Sequence, residues 1–403
     1  MAEAVTQHVP QAQHLHLERH REHPDVRKVR HDLGEKPFLA IWEVTRACQL
    51  VCKHCRADSQ HHAAPGQLTT EEGKRLLDQL ASYDLPRPIV VFSGGDPFER
   101  TDLEELTEYG TSLGLHIGLS PSATPKVTLE RLQRLHELGA TALSLSLDGA
   151  VAETHDAFRG FPGTFDATLE KARFATDTGF RLQVNSTLCA ENIREAPALL
   201  KRVMGMNAHL WSVFFLVPTG RGTALTPLTA VQREDVYHWM DDISSYIAVK
   251  TTEAPAYRRV VIQAHRDRDQ GKPPYKGGEL YRFLTEETAR VLGDGPKPQR
   301  RPRPPLAINS GRGFVFIDHI GDVYPSGFFP MHLGNVKDTP LPVIYSESEV
   351  FKSLREPAKW KGKCSVCEFN DVCGGSRSTA YAMTGDPFAS DPTCGYVPAS
   401  LRD

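Results

Sequence analysis

Residues 48–55 read Cys48-Gln49-Leu50-Val51-Cys52-Lys53-His54-Cys55: three cysteines, separated by three residues and then by two, directly after the apolar run 38–44. Three thiolates can ligate three corners of an iron–sulfur cluster and leave the fourth iron open for chemistry, as a catalytic zinc keeps an open position. A zinc site on the same stretch would need a fourth ligand, for which His54 is to hand. The chain has eight cysteines: these three, a second group of Cys364, Cys367, Cys373 and Cys394, and Cys189 alone. No apolar stretch opens the chain as a secretory signal does, so the clusters read as metal ligands rather than disulfides. Cys189 reads as a small buried apolar residue near a strand end rather than a nucleophile.

Outward from the cysteines a unit repeats. Apolar, β-branched runs at 38–44, 89–92, 116–119, 142–147, 182–187 and 210–217 alternate with amphipathic helical patterns. Thr69 and Glu72 form a capping box for the first helix, with Leu76, Leu77 and Leu80 on one face. Thr101 and Glu104 mark the second helix, and patterns at 128–138, 164–178, 193–203 and 231–249 follow. Continuous apolar strands alternating with helices predict a parallel sheet covered by helices. The fold class is therefore α/β, and six such units make a barrel or part of one, with its working face at the C-terminal strand ends. The three cysteines follow the first strand and fall on that face.

The remainder is less regular. Residues 1–36 are polar and carry His8, His14, His16, His20, His23 and His31. They read as a flexible tail or short surface helix, with a metal or haem relay as the alternative. Residues 37–250 hold the strand–helix units. Residues 251–306 connect, with 251–262 as an edge strand, 278–292 as a helix and the Pro/Arg-rich 293–305 as an extended linker or a basic contact for an acidic partner. Residues 307–403 hold short strands, turns and four cysteines, a region expected to need a metal to hold it together. The net charge of −3 carries no signature of nucleic-acid or anionic-membrane binding, and no run is long enough to span a bilayer. A cytoplasmic protein is the expectation.

The CX3CX2C stretch after the first strand of such an array resembles the radical S-adenosylmethionine (SAM) superfamily. The resemblance implies a partial (β/α)6 TIM barrel in which Cys48, Cys52 and Cys55 hold a [4Fe–4S] cluster whose fourth iron SAM chelates. Ser93-Gly94-Gly95-Asp96-Pro97 matches the motif that binds the SAM amino group, with Asp96 where relatives usually carry Glu. Ser122, in Ser120-Pro121-Ser122-Ala123-Thr124, stands as a ribose contact. Ser144-Leu145-Ser146-Leu147-Asp148-Gly149, with His155-Asp156 and Arg159-Gly160, resembles a family run in which Ser146 faces the SAM carboxylate. Arg159 either pairs with that carboxylate or forms an ordinary ion pair. Asn185, Gly220 and Arg221 resemble ribose and adenine contacts.

Cys364-x2-Cys367-x5-Cys373 with Cys394 resembles the SPASM or twitch extension, an iron–sulfur domain that in its full form has seven cysteines and two clusters. Here Ser326, Asn309 or Ser310, and Arg377 stand where three cysteines would be. The resemblance thus implies one auxiliary [4Fe–4S] cluster on four cysteines, with zinc on the same thiolates as the alternative. Residues 41–48 and 367–387 resemble radical SAM proteins of haem and tetrapyrrole pathways, which modify propionate side chains, and their sister group.

That chemistry implies reductive cleavage of SAM to a 5′-deoxyadenosyl radical, an electron donor such as ferredoxin or flavodoxin, and hydrogen abstraction from a C–H bond. The auxiliary cluster would accept the substrate's remaining electron. Asp318, Phe328, Phe329 and His332, in or near the hairpin at 313–326, are candidates to touch substrate, with packing as the expected role of the two Phe. The competing readings are maturation of a ribosomal peptide and a non-catalytic iron–sulfur sensor or scaffold.

Overall fold

Each apolar run becomes a strand because alternate side chains can be buried on both faces, against helices outside and against the barrel interior. The computed structural model describes residues 23–293 and 300–402. Strands β1 (Leu39–Thr45), β2 (Ile89–Gly94), β3 (His116–Leu119), β4 (Ala142–Ser146), β5 (Arg181–Leu188), β6 (Leu210–Phe215) and β7 (Val249–Thr252) lie in this order, each parallel to the next. β8 (Asn309–Ser310) pairs with β9 (Gly313–Ile317), which lies parallel to the free side of β1, and β10 (Val323–Tyr324) closes that edge antiparallel to β9. The result is a curved half-barrel with helices on its outer face.

The outer face holds the core. Ala40, Trp42, Val44, Val90 and Phe92 are wholly buried under helices Thr70–Ala81 and Leu103–Ser112, with Trp42 edge-on to Phe92 at 5.4 Å. The Thr69–Glu72 capping box forms as read. The second helix starts differently. Asp102 is its first cap, and its carboxylate is held by Arg100 (2.8 and 2.6 Å) and Thr70 (2.7 Å) instead of capping the helix.

Three further expectations change. Residues 251–262 are not one edge strand: β7 ends at Thr252, and helix Ala256–Asp269 follows because Tyr257, Val260 and Val261 bury at helical spacing. Residues 23–36 are not a free tail, since Arg27 bridges to Leu306 and Leu33 O accepts from Tyr345. His8, His14, His16 and His20 lie outside the described residues, as do 294–299 of the linker. The C-terminal region does not depend on a metal alone. It adds helices Leu341–Glu347, Glu349–Arg355 and Arg377–Thr384, and Val315, Ile317, Val323, Leu341, Tyr345 and Phe351 belong to the main core. Only the ground around Phe369 and Val372 forms a separate small cluster, with Val26, Ile262 and Ala307.

Arg100 ties this arrangement together at a buried polar point. Its guanidinium donates to Val44 O (3.0 Å), Leu68 O (2.9 Å) and Asp102, with the side chain 3% exposed. Removing one partner of a buried pair strands the other. Arg100→Ala is therefore expected to cost about 3–5 kcal/mol. Denaturant unfolding measures it, and a loss below about 1 kcal/mol would contradict the role.

Candidate functional site

Backbone grips the cysteine loop from two sides. From β2, Gly95 donates its N–H to Thr45 O (2.8 Å) and Asp96 donates to Ala47 O (2.7 Å). A Cβ on Gly95 would stand 2.2 Å from Ala47 O, so only glycine fits. From the turn after β6, Arg221 donates its N–H to Cys55 O (3.0 Å). A Cβ on Gly220, whose φ is +53°, would stand 2.5 Å from that same oxygen. The Arg221 guanidinium adds Nε to Cys52 O (2.9 Å) and an ion pair with Asp58 (3.0 Å).

A third support comes from β4. Asp148, at its end, accepts the Thr187 N–H (2.7 Å) and pairs with buried Arg159 at 2.7 Å. Arg159 Nη1 lies 3.7 Å from Cys52 Sγ. The residues read as SAM contacts therefore divide. Gly95, Gly220, Arg159 and Arg221 hold the cysteine loop, and Gly94 sits just as tightly on Thr45 O. The Arg159 ion pair is thus with Asp148, inside the protein.

Asp96 is a correction. Its carboxylate is wholly buried, accepting from Phe98 N–H (3.1 Å) and from the Thr124 hydroxyl (2.7 Å). It caps the turn Pro97–Glu99 and has no surface for an amino group. Burial pushes its pKa up to about 7.

Ser122, Ser146 and Asn185 do come to the rim. Ser122 Oγ donates to Gly95 O (3.3 Å) and accepts from Cys48 Sγ (3.8 Å). Ser146 and Asn185 are register partners on β4 and β5, half-buried and facing the interior. Asn185 Oδ1 accepts from Gln183 (2.7 Å).

The three thiols differ. Burial pushes Cys48 up to about 12 and raises Cys52. Burial also acts on Cys55, but the Ser59 N–H and hydroxyl and the Arg221 charge outweigh it and bring that thiol below its usual range. His54, the fourth ligand a zinc site would need, is half-buried and stacked on Phe158 at 4.8 Å; desolvation of its ring lowers its pKa to about 4.

At the second group, Cys364, Cys367, Cys373 and Cys394 all line one small cavity with Gly374, Gly375 and Arg259. Their sulfurs accept from Gly375 N–H (3.4 Å, Cys373), Asp391 N–H (3.5 Å, Cys364) and Arg377 Nη2 (3.6 Å, Cys364). Four thiols with N–H donors to sulfur are the donor set of a cysteine-ligated cluster. Among the described residues no three His, Cys, Asp or Glu side chains converge as one metal ion would require.

Two residues escaped the sequence reading. Glu43 accepts from Arg56 (3.0 Å) and lies 3.3 Å from His319 Nδ1, tying β1 to the cysteine loop and to the β9–β10 hairpin. A carboxylate inside an apolar strand was its signal. Glu253, with φ +58°, accepts from Ser326 (2.9 Å) and Ser376 (2.8 Å). Nothing in the local pattern marks it. Ser310 and Ser378 bond each other nearby (3.1 Å), so hydroxyls and one carboxylate meet at this point of the fold.

The other candidates are resolved by packing. Phe328 meets Phe214 edge-on, while Phe329 is wholly buried against Tyr381. Asp318 accepts the Ile320 and Asp322 N–H groups of the hairpin turn, and His332 bonds Asp322 (3.1 Å). Cys189 is wholly buried at the end of β5, with its Sγ 3.5 Å from Asn192.

A parallel half-barrel with a CX3CX2C loop clamped on the C-terminal rim of its strands defines a class. The model of the radical SAM superfamily matches residues 42–203. The AdoMet-dependent heme synthase of Nitratidesulfovibrio vulgaris is 37% identical over 90% of this chain and 93% of its own. The mycofactocin maturase MftC of Mycobacterium tuberculosis is 30% identical over 89% of this chain and 83% of its own. The solved structure of anSMEcpe with bound AdoMet shares the fold, with a TM-score of 0.59 at 15% identity over 88% of this chain and 93% of that one. The chain belongs to the radical SAM family and is an enzyme of that family.

Gly95→Ala is expected to cost about 1–3 kcal/mol by overpacking and to lose the visible absorption of the cluster at 48–55. Retention of both would show that the clamp is dispensable. The raised Asp96 pKa has a sign. Between about pH 4 and pH 7 the folded state holds a proton that the unfolded state has lost, so stability falls as pH rises and levels off above 7. Asp96→Asn is expected to remove that slope, gaining about 2–4 kcal/mol on the wild type between pH 5 and pH 8. Parallel curves for the two proteins would contradict it.

Proposed function

We propose that this enzyme oxidatively modifies a propionate side chain of a tetrapyrrole. The observation that carries the reading is the end-to-end similarity to the heme synthase, at 37% identity with nine-tenths of each chain covered. The interior of the half-barrel suits such a ligand: Ile41, Val91, Phe214 and Phe328 give an apolar wall, with Ser146 and Asn185 toward the rim.

Cys48, Cys52 and Cys55 would hold a [4Fe–4S] cluster, and bound SAM with that cluster supplies a carbon radical able to take hydrogen from an unactivated C–H bond. The chain's residues do the rest. Arg159, Arg221 and Gly95 keep the cysteine loop from shifting. Ser122, Ser146 and Asn185 orient SAM beside it, and the apolar wall excludes water from the reacting carbon. Cys364, Cys367, Cys373 and Cys394 would hold the auxiliary [4Fe–4S] cluster, an acceptor for the electron left on the substrate. Glu253 and its serines take the place of a second auxiliary cluster. A low-potential ferredoxin or flavodoxin in the cytoplasm would supply electrons. We take 37–250 as the barrel unit and 307–403 as the auxiliary-cluster unit. Maturation of a peptide is the second reading, favoured by the MftC similarity at 30% identity.

Anaerobically reconstituted protein is expected to carry about eight iron per chain, two four-iron clusters, and to form 5′-deoxyadenosine from SAM and dithionite. Cys373→Ser is expected to keep SAM cleavage and lose more than about nine-tenths of substrate turnover, because only electron removal depends on that thiol. Four iron with one zinc, or unchanged turnover in the variant, would refute the auxiliary cluster. Turnover of a peptide but not of a propionate-bearing porphyrin would refute the substrate class.

A further inference from the structure

At the end of the barrel opposite the cysteine loop lies a cavity of about 250 Å³. Its walls are the first residues of the strands: Leu39 of β1, Ile89 of β2, Leu210 of β6 and Phe314 of β9. Lys250 enters it from β7. Its register partner is Ser212, and Phe214 and Thr252 pair one step along on the same inward face. Arg303 enters from the segment 303–306 that crosses beneath, and Arg27 and Arg258 also line the cavity.

Four cations thus meet one carboxylate, Glu253. That carboxylate is taken by the hydroxyls of Ser326 and Ser376. Arg258 donates to Val372 O (2.7 Å) and to Ile308 O, and Arg27 Nε donates to Pro304 O (2.8 Å). Lys250 and Arg303 have no acidic neighbour among the described residues. The charged groups that act on them are other cations: Arg303 on Lys250, and Arg27, Arg181 and Arg300 on Arg303. Burial and the Arg303 charge bring the Lys250 ammonium down to about 8. Both side chains are half-buried, so two neighbouring cations with no carboxylate partner among the described residues give a bound anion a favourable place.

We propose that Lys250 and Arg303 form a carboxylate-binding subsite that grips the side-chain carboxylates of a polycarboxylate substrate remote from the reacting one. The inference rests on the tetrapyrrole reading and adds how such a substrate is held. The cavity is smaller than the roughly 300–1,000 Å³ that a whole ligand of drug size fills, so it takes side arms while the ligand body lies higher in the barrel. Lys250 is level with Ser212, and from Ser212 to Phe215 the strand spans about 10 Å at the usual rise of a parallel strand. A ligand that meets Lys250 at one end and the cysteine rim at the other must bear carboxylates on opposite edges of a wide frame. The Pro/Arg-rich segment, read from the sequence as a linker or a contact for an acidic partner, thereby contributes its arginine to the substrate.

The test is equilibrium titration of reconstituted protein with coproporphyrin III, which has four propionates, and with its tetramethyl ester, which has no free carboxylate. The wild type is expected to bind the acid at least about tenfold more tightly than the ester. Lys250→Met and Arg303→Met are each expected to remove most of that difference, Lys250→Arg to keep it, and cluster absorption to remain in all three. Equal affinity of wild type and both methionine variants for the acid would overturn the subsite while leaving the tetrapyrrole reading intact. A second arm separates the two ideas, with benzene-1,3,5-tricarboxylate as the probe in thermal-shift titration. If coproporphyrin III does not bind but the tricarboxylate stabilises the wild type and not Lys250→Met, the carboxylate subsite stands and the tetrapyrrole reading falls. If neither probe binds, the subsite falls as well.

Discussion

The approach of two glycine turns to the cysteine loop constrains the rest of the rim. Gly95 meets Ala47 O and Gly220 meets Cys55 O at distances that no Cβ would permit. The loop cannot slide toward β2 or toward the turn after β6 without backbone collision, and hydrogen bonds from both sides keep it from drawing away. Arg159 and Arg221 add charge to the clamp. They face Cys52 Sγ and Cys52 O, so the same contacts that fix the loop also set a positive field where thiolates must form. Three ligands on a loop of eight residues would otherwise move independently. Here their spacing is imposed by two strands that close packing already holds.

The second cysteine group is supported in another way. It lies next to a polar island rather than inside a large core. Glu253 receives two serine hydroxyls, Ser310 meets Ser378, and Arg377 spans from Cys364 Sγ to Pro387 O and Ala389 O. The carboxylate of Glu253 and the hydroxyls of Ser310, Ser326, Ser376 and Ser378 each have a partner, which offsets the cost of burying them. The hairpin that carries Ser326 is joined to the barrel by β9, which extends the sheet beside β1. Glu43 reinforces the joint through Arg56 and His319. The two cysteine groups are thus attached to one continuous sheet, and the barrel interior lies between the rim and the cationic cavity below.

Much of this was legible in the residues. The six apolar runs, the capping box at Thr69 and Glu72 and the CX3CX2C spacing each depend on neighbours in the chain, and a local pattern records them. The second helix start at Thr101 misled because Asp102 had a stronger partner in Arg100, a competition that capping patterns do not contain.

What tertiary structure alone decided is which way side chains at motif positions turn. Asp96 faces Thr124 and Phe98 inside the protein, Arg159 faces Asp148, and Gly220 faces Cys55 rather than open space. Lys250 and Arg303 lie 53 positions apart in the chain, one directly after a stretch read as a helix and one in a stretch read as a linker, and they converge only because β7 and the crossing segment meet beneath the barrel. Sequence determined the elements and the ligand spacing, since both follow from short-range periodicity. The partners of each polar side chain depend on which strands lie side by side, and that is set by the packing of the whole sheet.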